Sequence, residues 1–265
     1  MTKRVVTLLR KELLDVVRNR MALVPVALVS AISLALPFAV AIGVPALTGH
    51  RLGEDPDLVR ISQSGAIGEE LGTDARVQVF FFQQFLLLFL LVPISGAMAL
   101  AAHAVVGEKQ ARTLEPLLAT PITTAELLLA KVMGAFLPTL LISIAGLAVY
   151  FGLVAGLGEA GVASAMLNER TFALVVLVGP AAALVSLQMA LLVSSRVGDP
   201  RTAQQFGVLI VLPLTAVLVA QFTGRGWLSA PVLGLTGLGL LGVWLALLAL
   251  SVAVFDRESI LTRWR

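Results

Sequence analysis

Two adjacent glutamates and two histidines are the residues of this sequence best suited to catalysis. Glu69 and Glu70 could share a proton during hydrolysis, and His50 and His103 could bind a metal ion. A metal site needs several such ligands close together, and the chain supplies only these two histidines and no cysteine. The composition therefore disfavours a metal centre.

The glutamate pair resembles that of intramembrane CAAX-type proteases, in which an Arg follows the second Glu by four positions. Here that position is Asp74, and the pair lies in a polar loop. The sequence also has no Gly-x-x-x-x-Gly-Lys-Ser/Thr phosphate loop. We therefore expect no catalytic residue, no metal and no cofactor on this chain, and any ATP must be bound by another protein.

Long apolar stretches dominate the 265 residues, of which 58% are hydrophobic and only 13% charged. Soluble domains contain about 25% charged residues. Six charge-free stretches exceed the roughly 20 residues that cross a hydrocarbon layer. They predict a single all-α transmembrane domain over 1–265 with six transmembrane helices, at about 22–47, 79–106, 132–157, 171–195, 204–223 and 230–255.

The basic residues predict the orientation of these helices. With the N-terminus inside, 14 of the 19 Lys and Arg residues lie in cytoplasmic segments, whereas the acidic residues divide evenly. The positive-inside rule therefore favours a chain with both termini in the cytoplasm (N-in/C-in). Residues 48–78 become an external loop and 107–131 a cytoplasmic loop. This distribution also accounts for the pI near 9.8 without nucleic acid.

The N-terminal segment 1–20 has the pattern of an amphipathic interfacial helix. One arc of such a helix is apolar and the rest is charged; the apolar arc consists of Val5, Val6, Leu9, Leu13, Val16 and Val17, with Leu8 and Leu14 as exceptions. Such a helix would lie in the headgroup plane of the lipid. It could serve as an anchor, or as a lever from a cytoplasmic partner to the first span.

The cytoplasmic loop is more structured than a simple connection between two spans. Leu114, Leu117 and Leu118 stand at i, i+3 and i+4, which gives a short helix one apolar edge. Thr123 and Glu126 have the spacing of a capping box, in which each side chain would bond the other residue's backbone N–H. The pattern predicts a short helix followed by a capped start for the third span.

That short helix could dock in a groove of a soluble partner or pack against the protein's own helix ends. The loop is similar to that of permease subunits of ABC-2 type ATP-binding cassette transporters, where it reads Glu, a basic residue, Gly-Thr-Leu-Glu-x-Leu-Leu, Pro and Lys. Arg112 stands where the family has Gly. The matching residues are Glu108, Thr113, Leu114, Glu115, Leu117, Leu118, Pro121, Glu126 and Lys131.

The resemblance implies a plasma-membrane permease that exports its substrate and pairs with a second copy or a homologous permease. ATP and Mg would be bound by separate ATPase subunits, so lipid and protein, but no nucleic acid, are the expected partners. The short cytoplasmic helix would be the coupling helix, which docks on the ATPase through Glu108, Arg112, Thr113, Leu114, Glu115, Leu117 and Leu118.

Several residues inside the spans could line a translocation path: Phe82, Gln83, Phe85, Phe89 and Gln188. Packing between helices and lipid contact are the alternative for the phenylalanines. Hydrogen bonds between helices are the alternative for the glutamines. No Asp, Glu, Lys or Arg lies within any charge-free stretch, which disfavours an ion-driven mechanism.

An ATP-independent carrier or a membrane assembly factor would have equally apolar spans. Such a protein has no evident need for a capped, groove-fitting cytoplasmic helix. The loop therefore favours the permease over this alternative.

Overall fold

The computed structural model describes residues 6–11, 13–14, 20–63, 70–110, 123–196, 212, 215–217, 219–221 and 228–254. Within these ranges every regular element is helical. The α-helices are α1 Arg20–Phe38, α2 Val44–Thr48, α3 Pro56–Gln63, α4 Thr73–Phe89, α5 Leu91–Gln110, α6 Thr124–Leu157, α7 Val162–Met166, α8 Glu169–Phe172, α9 Gly179–Arg196 and α10 Ala230–Val254. Two π-helical segments, Ala39–Gly43 and Ala173–Val178, and a 3₁₀ turn at Leu52–Glu54 complete the list.

Five stretches of helix among the described residues are long and apolar enough to cross a membrane. We name them the first span (Val26–Thr48), second span (Thr73–Ala101), third span (Thr124–Leu157), fourth span (Glu169–Ser194) and last span (Ala230–Ala253). The prediction of an all-α membrane protein is thereby confirmed. The remaining predicted span, 204–223, lies mostly outside the described residues.

The N-terminal segment is helical at 6–11 and 13–14. Of the predicted apolar arc, Val6 is 59% exposed and Leu9 and Leu13 are half-buried. Leu8, one of the two exceptions to the arc, is buried and packs against the rest of the chain. Residues 1–5, 12 and 15–19 lie outside the described part of the chain.

The second and fourth spans form the interior of the bundle. In their most apolar windows, 83% and 72% of the residues are buried, against 11–22% in the other three spans. The outer spans expose large apolar side chains such as Leu141 and Leu235. A helix that is apolar all round suits either position, because its neighbour can be protein or lipid.

Prolines explain the irregular points of three spans. The second span breaks at Leu90, where Pro93 has no N–H to donate to the carbonyl of Phe89. Each π-helical segment ends two residues before a proline, Pro45 or Pro180. The N–H of Val44 donates to the Ala39 carbonyl, and the N–H of Gly179 donates to the Leu174 carbonyl. Both bonds span five residues, as in a π-helix. A proline clashes with the carbonyl four residues before it, and a wider turn relieves that clash.

The helices cross the bundle in alternating directions. Helix α5 ends and α6 begins at one end, which we call the loop end because the connection 111–122 lies there. At the other end, which we call the Arg170 end, the Glu159 N–H donates to Gln78 Oε1 at 2.9 Å. Gly161, with φ +87°, also approaches Leu71 there. The start of the second span therefore lies beside the connection between the third and fourth spans.

Of the four glycines of the last span, one packs closely on the fourth span. A Cβ at Gly237 would lie 2.5 Å from Leu177 Cγ, whereas Gly234, Gly239 and Gly242 have nothing within 4 Å of that position. The glycines of this helix thus face in different directions, and only Gly237 is needed for the close approach.

Replacement of Gly237 by leucine should separate the last span from the fourth. We expect Gly237→Leu to lower the free energy of unfolding in detergent micelles by about 1–3 kcal/mol, as overpacking does. Gly239→Leu is the matched control, since it adds the same side chain to the same helix on an open side. Equal stability of the two variants would contradict this packing.

Candidate functional site

Most of the predicted docking set lies outside the described residues. Arg112, Thr113, Leu114, Glu115, Leu117 and Leu118 belong to the segment 111–122, and of Glu108 only the backbone is described, in helix α5. The coupling helix therefore stays a prediction. Both ends of its segment are fixed at the loop end, by α5 and by Thr123.

The predicted capping box at the start of the third span is confirmed. The Thr123 N–H donates to Glu126 Oε2 at 2.9 Å, and the Glu126 N–H donates to Thr123 Oγ1 at 3.2 Å. The Thr123 hydroxyl also donates to Glu126 Oε2 at 3.0 Å. These bonds satisfy two backbone donors that the first turn leaves without helical partners. The helix that follows the loop thus begins at a fixed residue.

Lys131, the last residue matched to the family's loop, is buried between the helices. Leu129, two positions earlier, is 41% exposed. The loop end of the third span therefore directs a lysine toward protein and a leucine outward, the reverse of a soluble surface helix.

The predicted path residues lie in different environments. Phe82, Gln83, Phe85 and Gln188 are buried inside the chain. Phe89 lines a cavity between the second, third and fourth spans. All five side chains are therefore buried among the helices, and Phe89 also borders this cavity.

An aromatic cluster joins the first three spans. Phe38 lies 5.2 Å from Phe82 and 5.6 Å from Tyr150, measured between ring centroids, and Phe89 lies 6.1 Å from Tyr150. The Tyr150 hydroxyl donates to the Phe82 carbonyl at 2.7 Å. Edge and tilted ring contacts at these distances are favourable. Tyr150 therefore links the third span to the second by both its ring and its hydroxyl.

Arg170 is the centre of a buried polar cluster. Its side chain donates to Gln83 Oε1 at 2.7 Å, Gln221 Oε1 at 3.0 Å and the Leu228 carbonyl at 3.0 Å. Only 6% of this residue is exposed. A guanidinium carries five donors in a planar fork, so it can bind acceptors on several segments at once. One side chain on the fourth span thus reaches the second span, Gln221 and the residues just before the last span.

The helices extend beyond the charge-free stretches and include ionisable residues near their starts. These are Asp74 and Arg76 in the second span, Glu126 and Lys131 in the third, and Glu169 and Arg170 in the fourth. Each lies within about two turns of a helix start, so the charge-free stretches themselves contain none of them.

The expectation that glutamines bond between helices is confirmed at three positions. Gln83 and Gln221 accept from Arg170, and Gln188 Nε2 donates to Ser251 Oγ at 2.6 Å. Gln84 is fully buried, and its amide has no hydrogen-bond partner among the described residues. The glutamines thus hold inner and outer helices together.

Two cavities lie on one side of the bundle, between the third and fourth spans. The inner cavity, of about 290 Å³, is lined mainly by aliphatic side chains together with Phe89 of the second span. The outer cavity, of about 690 Å³, lies at the Arg170 end and includes Phe151, Asn168, Glu169, Thr171 and Phe172. Val175 and Val176 line both, so the two cavities are adjacent along the fourth span.

Sequence reasoning missed Arg170 and Tyr150. Arg170 was counted only as a loop charge, although a lone Arg directly before an apolar stretch requires polar partners if the helix end is covered. Tyr150 is the only tyrosine of the chain and lies in an apolar stretch. A buried tyrosine hydroxyl usually finds a partner, which was the available signal.

The chain was compared with known protein families and with curated proteins. The family model described as ABC-2 family transporter protein matches residues 6–231, which is most of the chain. The match includes the cytoplasmic loop, Tyr150, Arg170 and both cavities. No curated protein matches the chain.

Removal of the Tyr150 hydroxyl should weaken the contact between the second and third spans. We expect Tyr150→Phe to lower the free energy of unfolding by about 0.6 kcal/mol and at most about 2, the range for hydrogen bonds between membrane helices. Unfolding in mixed micelles measures it. Thr236→Val is the control, because the Thr236 hydroxyl bonds only its own helix at Val232. An equal loss in both variants would argue against a special role for Tyr150.

Loss of the Arg170 side chain should destabilise the protein more than loss of the Tyr150 hydroxyl. We expect Arg170→Met to lower the free energy of unfolding by about 2–5 kcal/mol, because each buried acceptor without a donor costs roughly 1–3 kcal/mol. Arg170→Lys should lower the free energy of unfolding by less than Arg170→Met does, because a lysine keeps a charged donor but lacks the planar fork of the guanidinium.

Arg60→Met is the control for Arg170→Met, since the Arg60 side chain is 80% exposed and pairs only weakly with Asp57. The same unfolding measurement applies to all three variants. A change below about 0.5 kcal/mol for Arg170→Met would show that the cluster does not hold the spans together.

Proposed function

The chain belongs to the ABC-2 family of transporter proteins, and we propose that it is the permease through which a paired ATPase drives export across the plasma membrane. As a member of this family it is a multi-pass membrane permease that associates with ABC ATPase subunits. The proposal adds six spans with both termini in the cytoplasm, docking through the loop 107–131, and a second permease as partner. The family match carries the proposal.

The charges support the orientation. The loop end carries the connection 111–122, and the basic residues are concentrated in the segments that this orientation places inside. The Arg170 end then faces outward. ATP and Mg belong to the partner in this proposal, since the sequence lacks a phosphate loop.

The third span is suited to transmit movement of the loop across the membrane. Helix α6 runs for 34 residues from the capping box to Leu157, a length of about 51 Å at 1.5 Å per residue. Its first turn is fixed by Thr123 and Glu126. Its far half contacts the second span through Tyr150. A displacement of the loop by the ATPase would therefore reach the Arg170 end through one helix.

The docking surface is proposed to be the apolar edge of the coupling helix. Leu117 and Leu118 would enter a groove of the ATPase, while Glu108, Arg112 and Glu115 would pair with charges at its rim. A carboxylate in place of either leucine would have to be desolvated without a partner, which is unfavourable.

The variant Leu117→Asp with Leu118→Asp tests the docking surface. We expect it to insert into the membrane at normal levels but to lose the co-purifying ATPase subunit and its ATPase activity. The measurement is a mild-detergent pull-down with mass spectrometry and an ATPase assay.

Leu167→Asp is the matched control, because Leu167 is a 72% exposed leucine at the opposite end of the bundle. It should retain the ATPase. Retention of the ATPase by the double variant would reject the docking surface. A wild-type chain that repeatedly purifies without an ATPase would favour the ATP-independent carrier.

A further inference from the structure

The inner cavity provides an apolar environment suited to a hydrocarbon chain. Its only hydroxyl, that of Ser143, already donates to the Thr139 carbonyl at 2.8 Å. The other lining groups are aliphatic or aromatic, together with Gly179 and two prolines. A polar molecule would lose hydrogen bonds to water on entering this cavity and gain none. The cavity therefore favours an apolar guest.

The outer cavity has a different chemistry, because polar groups lie at its rim. Asn168, Glu169 and Thr171 are among the residues that line it. The Thr171 hydroxyl oxygen is buried away from the cavity, and the Asn168 amide is already bonded, its oxygen to the Thr171 N–H and its nitrogen to the Ala165 carbonyl. The Glu169 carboxylate is therefore the polar group that a guest can reach.

The charge at this rim selects a cation. Glu169 lines the outer cavity, is exposed and forms no ion pair with another described residue. The neighbouring Arg170 is directed to Gln83, Gln221 and Leu228, on spans that do not line this cavity. The rim thus presents one accessible carboxylate, which matches a protonated amine.

We propose that the two adjacent cavities bind an amphiphile with one alkyl chain and a primary amine head. The alkyl chain lies in the inner cavity, and the amine lies beside Glu169. Val175 and Val176 line both cavities, and the alkyl chain passes from one cavity to the other beside them. Pockets that combine an apolar interior with a few placed polar groups are typical of small-molecule sites.

Among the described residues, the side of the bundle on which the cavities lie exposes large apolar side chains. Ile144 on the third span and Val176 on the fourth are 55% and 53% exposed beside the inner cavity, and Phe172 is 68% exposed beside the outer one. An amphiphile can therefore enter sideways from the membrane with its head at the surface. As the identity of the cargo, this inference rests on the proposed export function.

Photolabelling of the full-length protein in lipid nanodiscs tests the site. The probe is dodecylamine with a diazirine in its alkyl chain, and the matched probe has the same chain and a sulfate head. Peptide mass spectrometry identifies the labelled residues. We expect the amine probe to label inner-cavity residues such as Leu147 and Val176 at lower concentration than the sulfate probe.

Two variants separate the head from the chain. Glu169→Gln should raise the half-saturating concentration of the amine probe about two- to fivefold, the range for a partly exposed ion pair, and leave the sulfate probe unweakened. Glu159→Gln is the control, because Glu159 is exposed in the adjoining connection but does not line either cavity. It should change neither probe.

Gly179→Leu should reduce labelling of the inner cavity by both probes, because its side chain would occupy that space. The added Cβ would lie 3.1 Å from Leu90 Cδ2, the end of a flexible side chain, and 3.5 Å from the Leu174 carbonyl oxygen, an ordinary contact, so the helix can accept it. Glu169→Gln affects an exposed residue and gives a readout even if Gly179→Leu disturbs folding.

The proposal is overturned if both probes label alike and Glu169→Gln changes neither. It is also overturned if the label falls equally on lipid-exposed residues of the last span such as Leu235, or if a second copy of the chain cross-links across the cavities. The labelling needs neither ATP nor an ATPase. If the protein is labelled at a specific site but purifies without an ATPase, the amphiphile site stands and only its role in ATP-driven transport is rejected.

Discussion

The arrangement of the bundle depends on a few hydrogen bonds between helices that are otherwise apolar. Arg170 makes three of them, donating to Gln83 on the second span, to Gln221 and to the Leu228 carbonyl. Lipid chains solvate apolar helices as well as protein does, so burial alone does not decide which helices pair. Specific polar contacts decide which helices pair, and here they involve residues of the two inner spans. Gln188 adds a second contact of this kind, from the fourth span to Ser251 on the last.

The third span differs from the inner spans because it is held at its two ends. The capping box fixes its beginning, and Tyr150 fixes its far half against Phe82. Between them the helix contains Pro138 and exposes Leu141 and Ile144. That middle part borders the inner cavity on one side, and on the other Thr139 packs against Gly96 and Gly146 against Phe89 of the second span. In the proposed mechanism, a helix of this kind can carry motion from the loop to the opposite end without disrupting the core.

The cavities result from the same local irregularities that bend the fourth span. Gly179 has no side chain to fill the space, and Pro180 forces the preceding turns to widen into the π-helical segment Ala173–Val178. That segment supplies Val175 and Val176, which join the inner cavity to the outer. Arg170 and Thr171 lie directly before it, so the buried cluster and the proposed amphiphile site share one irregular stretch of backbone.

The sequence by itself determined the class of protein, five of its membrane-spanning helices, the capping box and the family resemblance. These follow from properties of short segments: about 20 apolar residues span a membrane, and a Thr three residues before a Glu caps a helix. The sequence could not rank the spans, because the five have nearly equal mean hydropathy, 2.1 to 2.3. It also could not pair Arg170 with Gln83, 87 positions away, or Tyr150 with Phe82, 68 positions away. Only the tertiary structure decided which spans are inner and where the cavities lie, because those features depend on how side chains from distant segments pack together.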